Sequence, residues 1–180
     1  MVTKKVLKIL IGSNTWSFSH WSEAVDIKRW IVSEFKRRGF KKNGRIFEKR
    51  GNESTLCVST HKSRFSQDHF IDCGVILDGF VPRDNQYSHF WSIFCRIEDI
   101  FADSEKRSII NSALDGEVVM VDVERQRIVF KALDEMERRM EEEWSNREWM
   151  VAHAPLKHVG GFHFNERFVK ECINSRENMS

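Results

Sequence analysis

Three sets of side chains in this sequence are of the right types to do chemistry. His61, Ser63 and Asp72 are the members of a nucleophilic relay, in which an imidazole takes the proton of a hydroxyl and a carboxylate orients the imidazole. Types alone do not make that geometry. No Gly-x-Ser-x-Gly elbow surrounds Ser63, so turn and strand-surface roles are expected for all three, and no catalytic residue is assigned. His153, His158 and His163 recur every five residues and could supply neutral imidazole to zinc. Ligands on one helix want spacings of three or four and ligands on one strand want two, so these are expected to be loop histidines without a metal. Gly160-Gly161 beside them lacks the surrounding glycines, lysine and hydroxyl of a phosphate cradle, and no cofactor is expected.

The stronger signal is electrostatic. From Lys36 to Arg64 ten basic residues face two acids, Glu48 and Glu53, whereas from Lys131 to Glu148 seven acids outnumber four bases. Lys41, Lys42, Arg45, Lys62 and Arg64 form a candidate binding surface. Interleaved with Phe40, Phe47 and Phe65, they match what a single strand of nucleic acid requires, cations for phosphates and rings for bases. Trp16 and Trp21, just ahead of the first helix, are candidate interface anchors.

The elements that must position these residues follow from periodicity. Ser22 is placed to cap a helix ending at Arg38, with Ala24, Ile27, Ile31 and Phe35 as its apolar stripe. Gly39 stops that helix and Phe40 folds back on its last turn. Asn43-Gly44 turns the chain into a strand through Arg50. Alternation then predicts strands at Leu56–His61, at Phe70–Leu77, and at His89–Ile97 with Trp91, Ile93, Cys95 and Ile97 on one face. Asp72 interrupts the second of these and is expected on the solvent face; pairing with Lys62 or Arg64 is the other reading. Ser104 is expected to cap a short helix ended by Asp115-Gly116. Val118–Val123 reads as a fifth strand, followed by a long helix with Val129, Leu133, Met136, Met140 and Trp144 inward. Its acidic face is expected to be laced by Asp134–Arg138, Glu135–Arg139 and Glu143–Arg147 pairs. After Pro155, Asn165 caps a last helix burying Phe168, Val169, Cys172 and Ile173.

Together these predict an α+β fold: an antiparallel sheet of about four to six strands, packed against an N-terminal helix and a long C-terminal helix. With 180 residues, 31% charged and 41% hydrophobic, residues 1–180 read as a single domain. Residues 1–21 form an arm or strand, 22–149 the core and 150–180 an extension with a short helix. The apolar run Val6–Ile11 is too short to span a bilayer, so no membrane association is expected. Cys57, Cys73, Cys95 and Cys172 show no close pairing, which predicts free thiols and a cytoplasmic location.

Three segments carry a family resemblance: GFKKNGRIF at Gly39–Phe47, KSRFS at Lys62–Ser66 and FIDCGV at Phe70–Val75. They resemble the mostly bacterial domain of unknown function 4304 family, over Ala24 to about Trp144. The shared residues are turn and packing residues, so the resemblance implies a backbone plan and no particular chemistry. The function expected from segregated charge and abundant aromatics is non-enzymatic protein binding, for instance as an immunity factor that neutralises a toxin. Nucleic-acid binding through residues 36–64 is the alternative, and an enzyme the third reading.

Overall fold

In the computed structural model, which describes residues 26–79, 91–156, 158–159 and 161–177, one mixed helix and strand architecture emerges. Trp16, Trp21, Ser22, the expected arm and the loop around Pro82 lie outside the described residues. Helix α1, Ile27–Arg37, starts at Asp26, whose Oδ1 accepts from the Arg29 N–H at 3.0 Å and so satisfies a helix-end donor. It ends as expected. Gly39 adopts φ +87°, a left-handed value that a side chain would strain, and the Phe40 N–H reaches Phe35 O at 3.0 Å. The rings of Phe35 and Phe40 lie 6.2 Å apart and both are buried.

Five antiparallel strands follow: β1 Lys41–Asn43, β2 Ile46–Arg50, β3 Ser54–Lys62, β4 His69–Leu77 and β5 Ile93–Arg96. A 3-10 turn, Ile97–Ile100, leads to α2, Ser104–Leu114, and then to α3, Asp122–Arg139, which continues through a π turn at Met140–Trp144. Next come α4 Arg147–His153, the short hairpin β6 His158–Val159 and β7 Phe162–Phe164, and α5 Glu166–Glu177. Strand order is β1-β2-β3-β4-β5-β7-β6, so the late hairpin adds itself to the β5 edge. The α+β class and antiparallel sheet are as expected. The strand total among the described residues rises to seven because three-residue and two-residue pieces extend both edges.

Period-two alternation sends Leu56, Val58, Ile71, Cys73, Val75, Ile93 and Cys95 to one face, where they pack with Ile31 and Phe35 of α1 and Val129, Leu133 and Met136 of α3. Met140 and Trp144 complete that stripe, fully buried.

Several expectations are corrected. Asp103, one residue before Ser104, caps α2, its Oδ1 accepting from the Glu105 N–H at 2.8 Å. Trp91 does not share the face of Ile93. It packs on the opposite side of the sheet with Ile46 and Cys57, over Gly74, where an added Cβ would lie 2.5 Å from the indole and 2.3 Å from Ile93 O. Residues 118–121 form no strand and helix α3 begins at Asp122; the Val118 carbonyl accepts from Arg125 Nη2 and the Val121 carbonyl from the Arg125 backbone N–H. Ile173 stays exposed on α5, while Phe168, Val169 and Cys172 are buried. Among the described residues, no helix is long and apolar enough to cross a membrane.

Candidate functional site

The relay residues do not assemble. Asp72 lies in register with Ser59 on β3, whose Oγ donates to Asp72 Oδ2 at 3.2 Å, and His61 Nδ1 lies 3.4 Å from that same oxygen. Ser63 is elsewhere engaged. Its Oγ accepts from the Phe65 and Ser66 N–H groups at 3.1 and 3.2 Å, a turn-forming role. Asp72 thus sits on the sheet face away from the main core, with Ser59 and His61 as partners in place of Lys62 or Arg64.

His158 lies in register with His163 on the β6–β7 hairpin, while His153 ends α4 and packs elsewhere. The His153 ring stacks on Trp149 at 4.2 Å, and the His163 ring stacks on Phe94 at 5.5 Å. No group of three His, Cys, Asp or Glu placed to hold a metal occurs among the described residues.

Two cations of the basic segment, Arg38 and Lys49, turn toward the acidic helix. Arg38 donates to Glu34 at 2.8 Å, Asp134 at 2.6 Å and Glu137 at 3.1 Å, while Lys49 reaches Glu137 at 2.6 Å and Glu141 at 2.8 Å. Arg37 adds a fork to Glu34, and that hydrogen bond, aided by Arg38 against the opposing cost of burial, holds the Glu34 carboxyl below its usual range. Arg50 pairs with Asp78. Of the expected lacing, Glu135–Arg139 forms at 2.8 Å, but Asp134 goes to Arg38 and Arg147 turns to Asp78 O at 2.9 Å. Glu143 faces Arg138 at 3.7 Å.

Lys41, Lys42 and Arg45 stay exposed on the β1–β2 hairpin. The register Asn43↔Ile46 and Lys62↔His69 brings both hairpin tips to one end of the sheet, so Arg45, Lys62 and Arg64 approach there beside the fully exposed Phe65 ring. Lys62 bonds Gln67. Lys41 lies further down the edge, opposite Glu48.

A second surface was not singled out from the sequence. Arg125, buried in the first turns of α3, donates to Ala113 O at 2.6 Å, Asp115 O at 2.8 Å and Val118 O at 2.7 Å. This ties the carbonyl end of α2 to the start of α3, satisfying helix-end acceptors and setting the two helices antiparallel. Between them runs a groove of about 320 Å3, floored by Phe101, Ile109, Ile110 and Ile128 and rimmed by Lys106, Arg127 and Lys131. Arg127 is forked to Glu124 at 2.7 Å through Nε. Val123 lies one and two helical turns before Arg127 and Lys131 on the same stripe, and Val119 and Val121 stand exposed ahead of it. Those valines read as strand because β-branched residues favour pleated backbone; burial, which would have made them one, is absent.

A family model described as Domain of unknown function (DUF4304) matches residues 31–146 of this chain. No curated protein matches it, and no solved structure does.

Proposed function

The chain belongs to the DUF4304 family, and because that description names no activity, we propose from its surface chemistry that it is a protein-binding module. Its contact surface is the groove between α2 and α3 together with the exposed valines at the start of α3. The observation that carries this reading is the concentration of exposed aliphatic side chains there: Ile109 at 44%, Val119 at 102%, Val121 at 74% and Val123 at 76% of full exposure. A contiguous apolar surface edged by charge marks contact sites on folded proteins. Cations on the rim select an occupant with acids flanking an apolar stripe, and an amphipathic acidic helix has that form. Lys41, Lys42 and Arg45, which do not line the groove, would act on encounter through long-range attraction. A cytoplasmic immunity factor that occupies a toxin is one role such a module would fill.

The alternative, nucleic acid at residues 36–64, draws on the Arg64–Phe65 tip but loses weight because Arg37, Arg38, Lys49 and Arg50 are engaged by carboxylates. The test is binding to the products of neighbouring genes, followed by size exclusion and titration. Ile109→Glu with Val123→Glu is expected to abolish a complex that Lys41→Glu with Lys42→Glu only slows. A complex indifferent to the first pair, or a salt-sensitive gel shift with DNA or RNA and no protein complex, overturns the reading.

A further inference from the structure

Helix α2 has a second, opposite flank that the groove does not use. Ser104, Arg107, Ser108, Asn111 and Ser112 recur at the helical period on that side, and they face the end of β5, the 3-10 turn and the start of β4 across a polar cleft of about 580 Å3.

Its walls are fixed by the fold. Arg96 is braced with its guanidinium 4.2 Å over the Phe70 ring, and Arg107 Nη2 donates to Ala102 O at 3.3 Å. Asp68 pairs through the backbone with Asp115 and accepts from the Ser66 hydroxyl. The turn that bears Glu98 and Asp99 is backed by the β6–β7 hairpin so closely that a Cβ on Gly161, at φ +92°, would come within 2.7 Å of Asp99 O.

Among the described residues, two polar atoms in these walls have no hydrogen-bond partner: Glu98 Oε2, on a residue with only 7% exposure, and Arg107 Nε. One needs a donor and the other an acceptor. An unsatisfied buried group costs about 1–3 kcal/mol, and such costs are retained where a ligand completes the set. Burial, reinforced by Asp99, raises the Glu98 carboxyl above its usual range.

We propose that this cleft binds a basic α-amino acid, of the arginine or lysine class, with its carboxylate on the guanidinium side and its cationic groups against the acids. Four carboxylates, Asp68, Glu98, Asp99 and Asp115, oppose two guanidiniums, Arg96 and Arg107, so the lining calls for one anionic group and an excess of positive charge. An inorganic anion meets too many carboxylates. A simple diamine leaves Arg107 Nε without its acceptor. The lining is predominantly polar, which fits a solute of this kind rather than an apolar one.

The experiment is calorimetric titration of the full chain with L-arginine, L-lysine, L-glutamate and cadaverine. Saturable binding of arginine or lysine, at least about tenfold tighter than glutamate or cadaverine, is expected. Arg107→Met should weaken it by about tenfold or more, and Glu98→Gln should shift selectivity toward ligands with fewer cationic groups. Ser108→Trp, on the exposed face of α2, fills the cleft without touching the core and should abolish binding while far-UV dichroism stays unchanged. No saturable binding of either amino acid, equal binding of cadaverine, or binding unaffected by Ser108→Trp overturns the proposal. None of these outcomes depends on the protein-binding groove across the helix.

Discussion

Arg38 Nη2 lies 2.6 Å from Asp134 Oδ1, across 96 residues of sequence. The contact joins the carbonyl end of α1 to α3, and with Glu34 and Glu137 it gives the Arg38 fork three carboxylate partners. Two segments of opposite charge along the chain therefore become one internal network. Within the basic segment Arg37, Arg38, Lys49 and Arg50 are engaged by carboxylates of the fold, whereas Lys41, Lys42, Arg45, Lys62 and Arg64 remain exposed.

Removing Arg38 takes one of two cations from the buried Glu34, which keeps Arg37, and one of two from Glu137, which keeps Lys49. Arg38→Met is expected to lose about 2 kcal/mol in urea unfolding. Asp134→Ala should lose less than about 1 kcal/mol, because Asp134 is 68% exposed and the other two carboxylates remain. Equal losses from the two variants would contradict this assignment.

Acid should unfold the chain through the paired carboxylates. The Arg138 hydrogen bond, helped by Arg139, draws Glu135 down to about 2 from an ordinary 4.5, and Glu34 is lowered in the same direction. A carboxyl lowered in the fold adds stability that is complete above its unfolded value and is lost as pH falls through its folded one. Stability from this source is expected to hold from neutrality to about pH 4.5 and to decline toward pH 2, with a shallower decline in Glu135→Gln. Thermal melts across that range check it.

Glu98 should act with the opposite sign. Its carboxyl is raised mainly by burial, then by Asp99 and Asp72 against Arg96, so the folded chain binds that proton more tightly than the unfolded chain does. Glu98→Gln is expected to stabilise the protein at neutral pH by about 1 kcal/mol, and the gain should vanish below the ordinary value of 4.5. Melts of the two proteins at neutral and acidic pH decide it.

Gly74 admits no side chain. Trp91 and the Ile93 carbonyl occupy the Cβ position, so Gly74→Ala must part β5 from β4 or push the indole outward. A loss of about 3 kcal/mol or more is expected, with a change in tryptophan fluorescence as Trp91 moves.

Arg125→Ala is expected to lose about 3 kcal/mol, because the carbonyls of Ala113, Asp115 and Val118 lose a donor they share. Hydrogen exchange should quicken first at the end of α2 and the start of α3.

Much of the backbone plan was legible in consecutive residues. Gly39-Phe40 closed α1, the Asn43-Gly44 turn lay between β1 and β2, and the Val129 to Trp144 stripe placed α3 on the core, each a local consequence of glycine freedom or helical period. The candidate surfaces were less visible. The Ser104–Ser112 polar stripe was available as a periodic signal, but only the position of Arg96 and Glu98 across from it makes a cleft.

Alternation, turn chemistry and apolar spacing within short windows determined the α+β class and the faces of β3, β4 and α3. Tertiary structure decided which cation met which acid, which side of the sheet took Trp91, and that Val118–Val121 became a tethered connection instead of a strand. The reason is range: a residue's own neighbours set its backbone preference, whereas the partner of a charge or a carbonyl is whichever group the packed elements carry to within about 3 Å of it.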